Sequence, residues 1–123
     1  MERIEEFSRE GKNFVYIDLS GITSDAGFLE VTKAAESAIA KYPEHSVYTI
    51  TNIADVRFDS RTKEIAAKYT ANNEPYVKSG VVIGLDGIKK MLVDAVLRLS
   101  GRKNLTFAFT KNGAIEIILK SQQ

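Results

Sequence analysis

Four short apolar runs, rich in β-branched and aromatic residues and separated by stretches of helical periodicity, constrain this chain more than any other feature. They are residues 13–19 (NFVYIDL), 46–53 (SVYTITNI), 80–85 (GVVIGL) and 105–110 (LTFAFT). Runs of this length and make-up read as buried strands. Between the first two, Ser24 or Asp25 can cap a helix that continues to about Tyr42. Its Phe28, Val31, Ala35, Ala38, Ile39 and Tyr42 share one face, and Pro43 follows where a helix cannot easily continue. Asp59 or Ser60 caps a second helix over 61–73, with Ile65, Ala66 and Tyr69 inward. A third helix covers 88–100 and ends at Gly101, and a short terminal one covers 113–121. Upstream, Glu10-Gly11-Lys12 forms a turn from a weak edge strand near 4–8. Strands linked through helices require crossover connections and a largely parallel sheet. The predicted fold class is therefore α/β, a single-domain sandwich over residues 1–123. It has a mostly parallel four- to five-stranded sheet flanked by about four helices, with strand order left open.

Composition narrows the chemistry. There is no cysteine, hence no disulfide, thiolate nucleophile or Cys-ligated metal, and one histidine, His45, excludes a centre that needs two imidazoles. His45 precedes a strand, at the sheet edge opposite to that where a catalytic histidine would stand. No cofactor is expected. No apolar stretch approaches the roughly 20 residues that cross a bilayer. The N-terminal residues MERIEEFSRE are acidic and unlike a signal peptide. A cytoplasmic location without integral membrane association is the expectation. Charge is uneven along the chain: residues 1–60 carry six Lys/Arg and eleven Asp/Glu, whereas 61–123 carry eleven and five. Such asymmetry fits an acidic partner, head-to-tail self-association, or simply solvated helix faces. Nucleic-acid binding is not expected, since the basic residues are dispersed and the pI is about 7.9.

In parallel sheets, ligands bind beyond the carboxyl ends of the strands. Asp18 and Asp55 follow strands there, as a magnesium-holding pair would, and Lys111 follows the last run, so a receiver-like phosphoacceptor is one alternative. Both aspartates also suit ordinary turns. Gly84-Leu85-Asp86-Gly87, followed by Lys89 and Lys90, opens a helix without a dinucleotide or phosphate-loop motif. On the third helix, Ile88, Met91, Leu92, Ala95, Val96 and Leu99 form the predicted core stripe. Val93 and Leu97, one turn apart, then face away from it and form a candidate partner surface, most simply that of a homodimer.

The segment 73–90 (NEPYVKSGVVIGLDGIKK), continued by Leu99-Ser100-Gly101-Arg102 and preceded by Val15-Tyr16-Ile17-Asp18-Leu19-Ser20-Gly21, resembles a family of small bacterial proteins called SpoIIAA-like. That family is grouped with STAS domains and the CRAL-TRIO lipid-transfer fold, and the likeness in element order runs from about residue 11 to 120. It implies a sheet flanked by helices and no established reaction. STAS domains of the anti-anti-sigma type carry a phosphorylated serine in an Asp-Ser pair that opens a helix. The resemblance places Asp59 and Ser60 there, although Arg61-Thr62-Lys63 replaces the glycine that follows. The CRAL-TRIO relationship implies a small apolar ligand, with Phe58, Tyr69 and Tyr76 as candidate lining residues. The expected function is a non-enzymatic regulatory or protein-interaction domain. The alternatives are a small apolar ligand or lipid-binding module and a receiver-like phosphoacceptor.

Overall fold

The computed structural model describes residues 3–101 and 104–121, without the side chains of Ile88, Lys89, Leu92 and Ser121. Ile88 and Leu92 of the expected core stripe, Lys89 of the Gly84–Gly87 segment and Arg102 of the family-like segment thus lie outside what it describes. The chain opens with a hairpin. Strand β1 (Ile4–Arg9) runs antiparallel to β2 (Lys12–Asp18), and the two residues between them, Glu10 and Gly11, both have positive φ (53° and 78°). That pairing of angles is what a two-residue hairpin turn needs to match strand twist, and glycine supplies one of them without strain.

From β2 onward every strand is parallel to its neighbour. The order along the chain is β2, α1 (Asp25–Ile39), β3 (Val47–Asn52), α2 (Ser60–Asn73), β4 (Val77–Ile83), α3 (Gly87–Ser100), β5 (Leu105–Phe107) and α4 (Lys111–Ser121). The spatial order is the same, β1-β2-β3-β4-β5. Connections between parallel strands are right-handed almost without exception. Strands laid down in one direction then put every crossover helix on one face. Accordingly one core cluster gathers Val15, Ile17, Val47, Val77 and Val82 from the sheet with Phe28, Val31, Ile39, Ile65, Val93 and Val96 from α1, α2 and α3. The alternate residues Phe14, Tyr48, Ile50, Val81 and Ile83 point to the other face, where they meet Ala114, Ile115 and Ile118 of α4. Phe7 of β1 stacks on Phe14 with ring centres 5.0 Å apart.

Local signals explain most element ends. Ser24 caps α1 by accepting from the Gly27 amide at 3.1 Å, as its place before the apolar stripe predicts. That helix stops at Ile39, short of Tyr42, whose hydroxyl instead donates to Glu6 Oε1 at 2.7 Å. Strand β4 starts at Val77, earlier than its glycine suggests, and β5 is only three residues long. Thr110 leaves the predicted strand because its hydroxyl accepts from the Gly113 amide at 3.0 Å and starts α4 at Lys111.

Gly84 marks the tightest point of the carboxyl edge. It has φ 84°, and a Cβ there would lie 2.5 Å from the Ala54 nitrogen and 2.6 Å from Asn52 Oδ1. Asn52 Oδ1 is itself fixed, accepting from the Ala54 amide at 3.0 Å. Gly84→Ala should therefore destabilise the domain by about 2–4 kcal/mol, through left-handed strain and backbone displacement together. Urea denaturation checks this, and an unchanged midpoint would contradict the close approach.

Candidate functional site

Helix α3 decides where a site can lie. Its apolar residues fall into two predicted stripes, and among the described side chains the structure turns inward Val93 and Leu97 of the narrower together with Val96 of the wider. Val93 is 7% exposed and packs with Val96 in the core under the helix, with Leu97 half-buried against them. Met91 and Leu99, expected inside, are 72% and 70% exposed, and Ala95 is half-buried. The predicted partner surface Val93/Leu97 is thus an internal surface. The reason is geometric. Only Leu85 and Asp86 separate the Gly84 turn from the start of α3, and Leu85 packs against the core, so this connection sets the rotation of the helix. Periodicity alone ranks the wider stripe as core, but it cannot see that constraint.

Beneath α2 and α3, against β3 and β4, lies a partly open cavity of about 70 Å³. Two predicted groups that looked separate in sequence meet there: Phe58 and Tyr69 line it together with Val93 and Leu97. Tyr76 does not. It sits at the amino edge, where its amide donates to the Asn73 carbonyl at 3.0 Å and its carbonyl accepts from the Ser46 and Val47 amides. Three buried polar lining residues are not evident from the sequence alone, Thr49, Thr70 and Asn73. The available signal was polarity on an inward face: Thr49 and Thr51 alternate with Tyr48 and Ile50 along β3, and Asn73 closes α2 one helical turn after Tyr69. Drug-sized molecules need roughly 300–1,000 Å³, so the cavity takes a small group or the end of a larger one.

Asp59 and Ser60 stand at the start of α2. Asp59 is its N-cap, with Oδ1 accepting from both the amide and the hydroxyl of Thr62 at 2.9 Å and Oδ2 paired with Arg57 at 3.1 Å. The Thr62 amide first, then its hydroxyl, then the Arg57 guanidinium hold the Asp59 carboxyl down at about 2. Thr62 also reaches Asp25 Oδ1 at 3.0 Å and so ties the starts of α1 and α2 together. Ser60 is exposed at the first helical position. The remaining candidates have structural roles. Asp18 accepts from the amide and hydroxyl of Ser20 within its own turn. Asp55 and His45 occupy positive-φ turn positions, at 59° and 54°. Lys111 lies over the Tyr16 ring at 4.4 Å and pairs with Glu5. Among the described residues no cluster of three or more His, Asp or Glu could hold a metal. No helix there is long and apolar enough to cross a membrane.

With this geometry, the chain superposes on a solved structure from Shewanella loihica PV-4, an uncharacterised DUF3478-family protein with a SpoIIAA-like fold. The TM-score is 0.66 over 93% of this chain and 90% of that one, at 15% identity. The fold is SpoIIAA-like. No protein-family model matches the sequence, and no protein of curated function matches it either. At 15% identity the likeness carries the SpoIIAA-like architecture alone.

Two measurements check the site. Leu97→Glu should cost about 3 kcal/mol by forcing a charge against the core, whereas Leu99→Glu should stay within about 0.5 kcal/mol. Equal losses in chemical denaturation would mean that α3 is rotated differently. For Asp59 the depressed carboxyl contributes stability that is full above the unfolded value near 3.8 and is lost as pH falls through about 2. Asp59→Asn keeps the cap, so at pH 7 it should fold normally. The stability gap between wild type and this variant should then shrink from pH 4 to pH 2, and a constant gap would remove the carboxylate from the account.

Proposed function

We propose that this SpoIIAA-like chain is a non-enzymatic interaction domain, and that its docking face is the outer side of α3. One observation carries the reading: α3 places Met91 and Leu99 in solvent while Val93, Val96 and Leu97 fill the core beneath it. Single exposed apolar residues are ordinary. A helix that is apolar on both sides, however, is normally buried on both. Phe109, just after β5, is 96% exposed as well.

Charge favours an acidic partner. Lys90 and Arg98 are exposed next to Met91 and Leu99, on the half of the chain that carries the positive excess. Such flanking cations speed and orient the encounter, while the apolar residues supply the affinity. The absence of cysteine and the placing of the only histidine at the amino edge of the sheet support a role without catalysis. A cytoplasmic site of action accords with this reading, and a second copy of the chain is the simplest alternative occupant.

Photo-crosslinking in the producing cell tests it. A benzophenone amino acid at position 91 or 99 should give one discrete adduct, absent when the probe stands at Lys33 on α1. Lys90→Glu with Arg98→Glu should weaken that adduct about tenfold. An adduct at twice the chain mass would identify a homodimer. Equal labelling from Lys33 and Leu99 would defeat the docking face altogether.

A further inference from the structure

The cavity beneath α2 and α3 has a chemistry that the interaction reading does not use. Asn73 is 4% exposed and lines this space, yet among the described residues nothing hydrogen-bonds to its side-chain amide. The Thr49 hydroxyl, buried in the same lining, is in the same condition. Their neighbours show how the fold normally treats such groups. Thr70 turns its hydroxyl back to the Ala66 carbonyl at 2.7 Å, and Asn104 donates to the Val77 carbonyl at 2.8 Å. Buried polar groups in native proteins nearly always have partners, so each exception calls for a reason. A leucine at position 73 would satisfy the core; an amide there is useful only to something that enters.

We propose that this cavity binds a small, neutral, mostly apolar molecule that presents an amide-like donor–acceptor edge to Asn73. Neutrality follows from the lining, which among the described residues includes no charged side chain; an ion placed there would lose its hydration without compensation. The edge follows from Asn73, whose carboxamide offers a donor and an acceptor side by side and pairs best with the same arrangement. Size follows from volume. At about 10–15 Å³ for each water-sized group, the 70 Å³ space takes roughly five non-hydrogen atoms. The walls are Phe28, Phe58, Val82 and Val96, which suit a short aliphatic or flat body. This site is independent of whatever covers the outer face of α3. A long acyl chain does not fit it, and a bound water cluster is the competing occupant.

Propionamide, with five non-hydrogen atoms and one primary amide, is the probe. In a two-dimensional NMR titration of the ¹⁵N-labelled protein, it should produce saturable shifts at the Asn73 side-chain NH₂ and at the Val77 and Val93 amides. Propionate at the same concentrations should bind at least tenfold more weakly. Asn73→Leu should abolish the response while leaving the rest of the spectrum folded. If that variant does not fold, Val96→Ile narrows the cavity without touching the amide and should weaken propionamide at least tenfold. Shifts that never saturate, equal binding of propionate, or a response that survives both substitutions would overturn the proposal. So would cross-peaks from the Asn73 NH₂ to bound water that persist at the highest propionamide concentration, which would make the cavity a hydration site only.

Discussion

The strands of this domain follow one another across the sheet in chain order, and the uniform hand of parallel connections then leaves no choice about the helices. Three of them crowd one face, and everything of functional interest follows from that crowding. A sheet whose order reversed part-way would divide its helices between faces and open a crevice at the switch point, the usual ligand site in such folds. Among the described strands there is no such reversal. The carboxyl edge is instead closed by short turns: Gly84 against Ala54, Asn52 on the Ala54 amide, Asp18 on Ser20. Space appears where three helices fail to tile one sheet face completely, under α2 and α3.

The opposite face shows the cost of this arrangement. Among the described helices α4 alone covers it, and it packs Ala114, Ile115 and Ile118 onto Phe14, Tyr48, Ile50, Val81 and Ile83. The hairpin strand β1 extends that layer through Phe7, and Lys111 joins the start of α4 to Tyr16 and Glu5. Aromatic bulk on the strands thus stands in for a second helix. It explains why Phe14, Tyr16 and Tyr48 alternate with the smaller Val15, Val47 and Thr49, which meet the crowded side.

Much of this was legible in the chain. The four apolar runs, the cap at Asp59 and the turn at Gly11 follow from local composition and spacing, and the SpoIIAA-like fold was implied by the resemblance of residues 15–21 and 73–90. What failed was the rotation of α3, because hydrophobic periodicity sees only the helix itself. The two-residue link from Gly84 to Gly87 sets that rotation, and its effect passes through backbone geometry. Phe58 and Tyr69 do border one cavity, but Tyr76 was not separable from them without knowing that it belongs to the amino edge. Asn73 went unremarked for a different reason: a polar residue in the last turn of a helix normally faces water, and only the tertiary arrangement turns this one inward.

The two margins of the sheet are guarded differently. At one margin, β1 offers six residues of backbone but carries Glu5 and Glu6 exposed upon it. At the other, β5 offers three residues, too few to template an incoming strand. Charge protects the long margin and brevity the short one, as in sheets that resist zippering into aggregates. Copies of this molecule that meet at high concentration are thereby denied the route to open-ended fibrils, and lasting contacts are left to its helices.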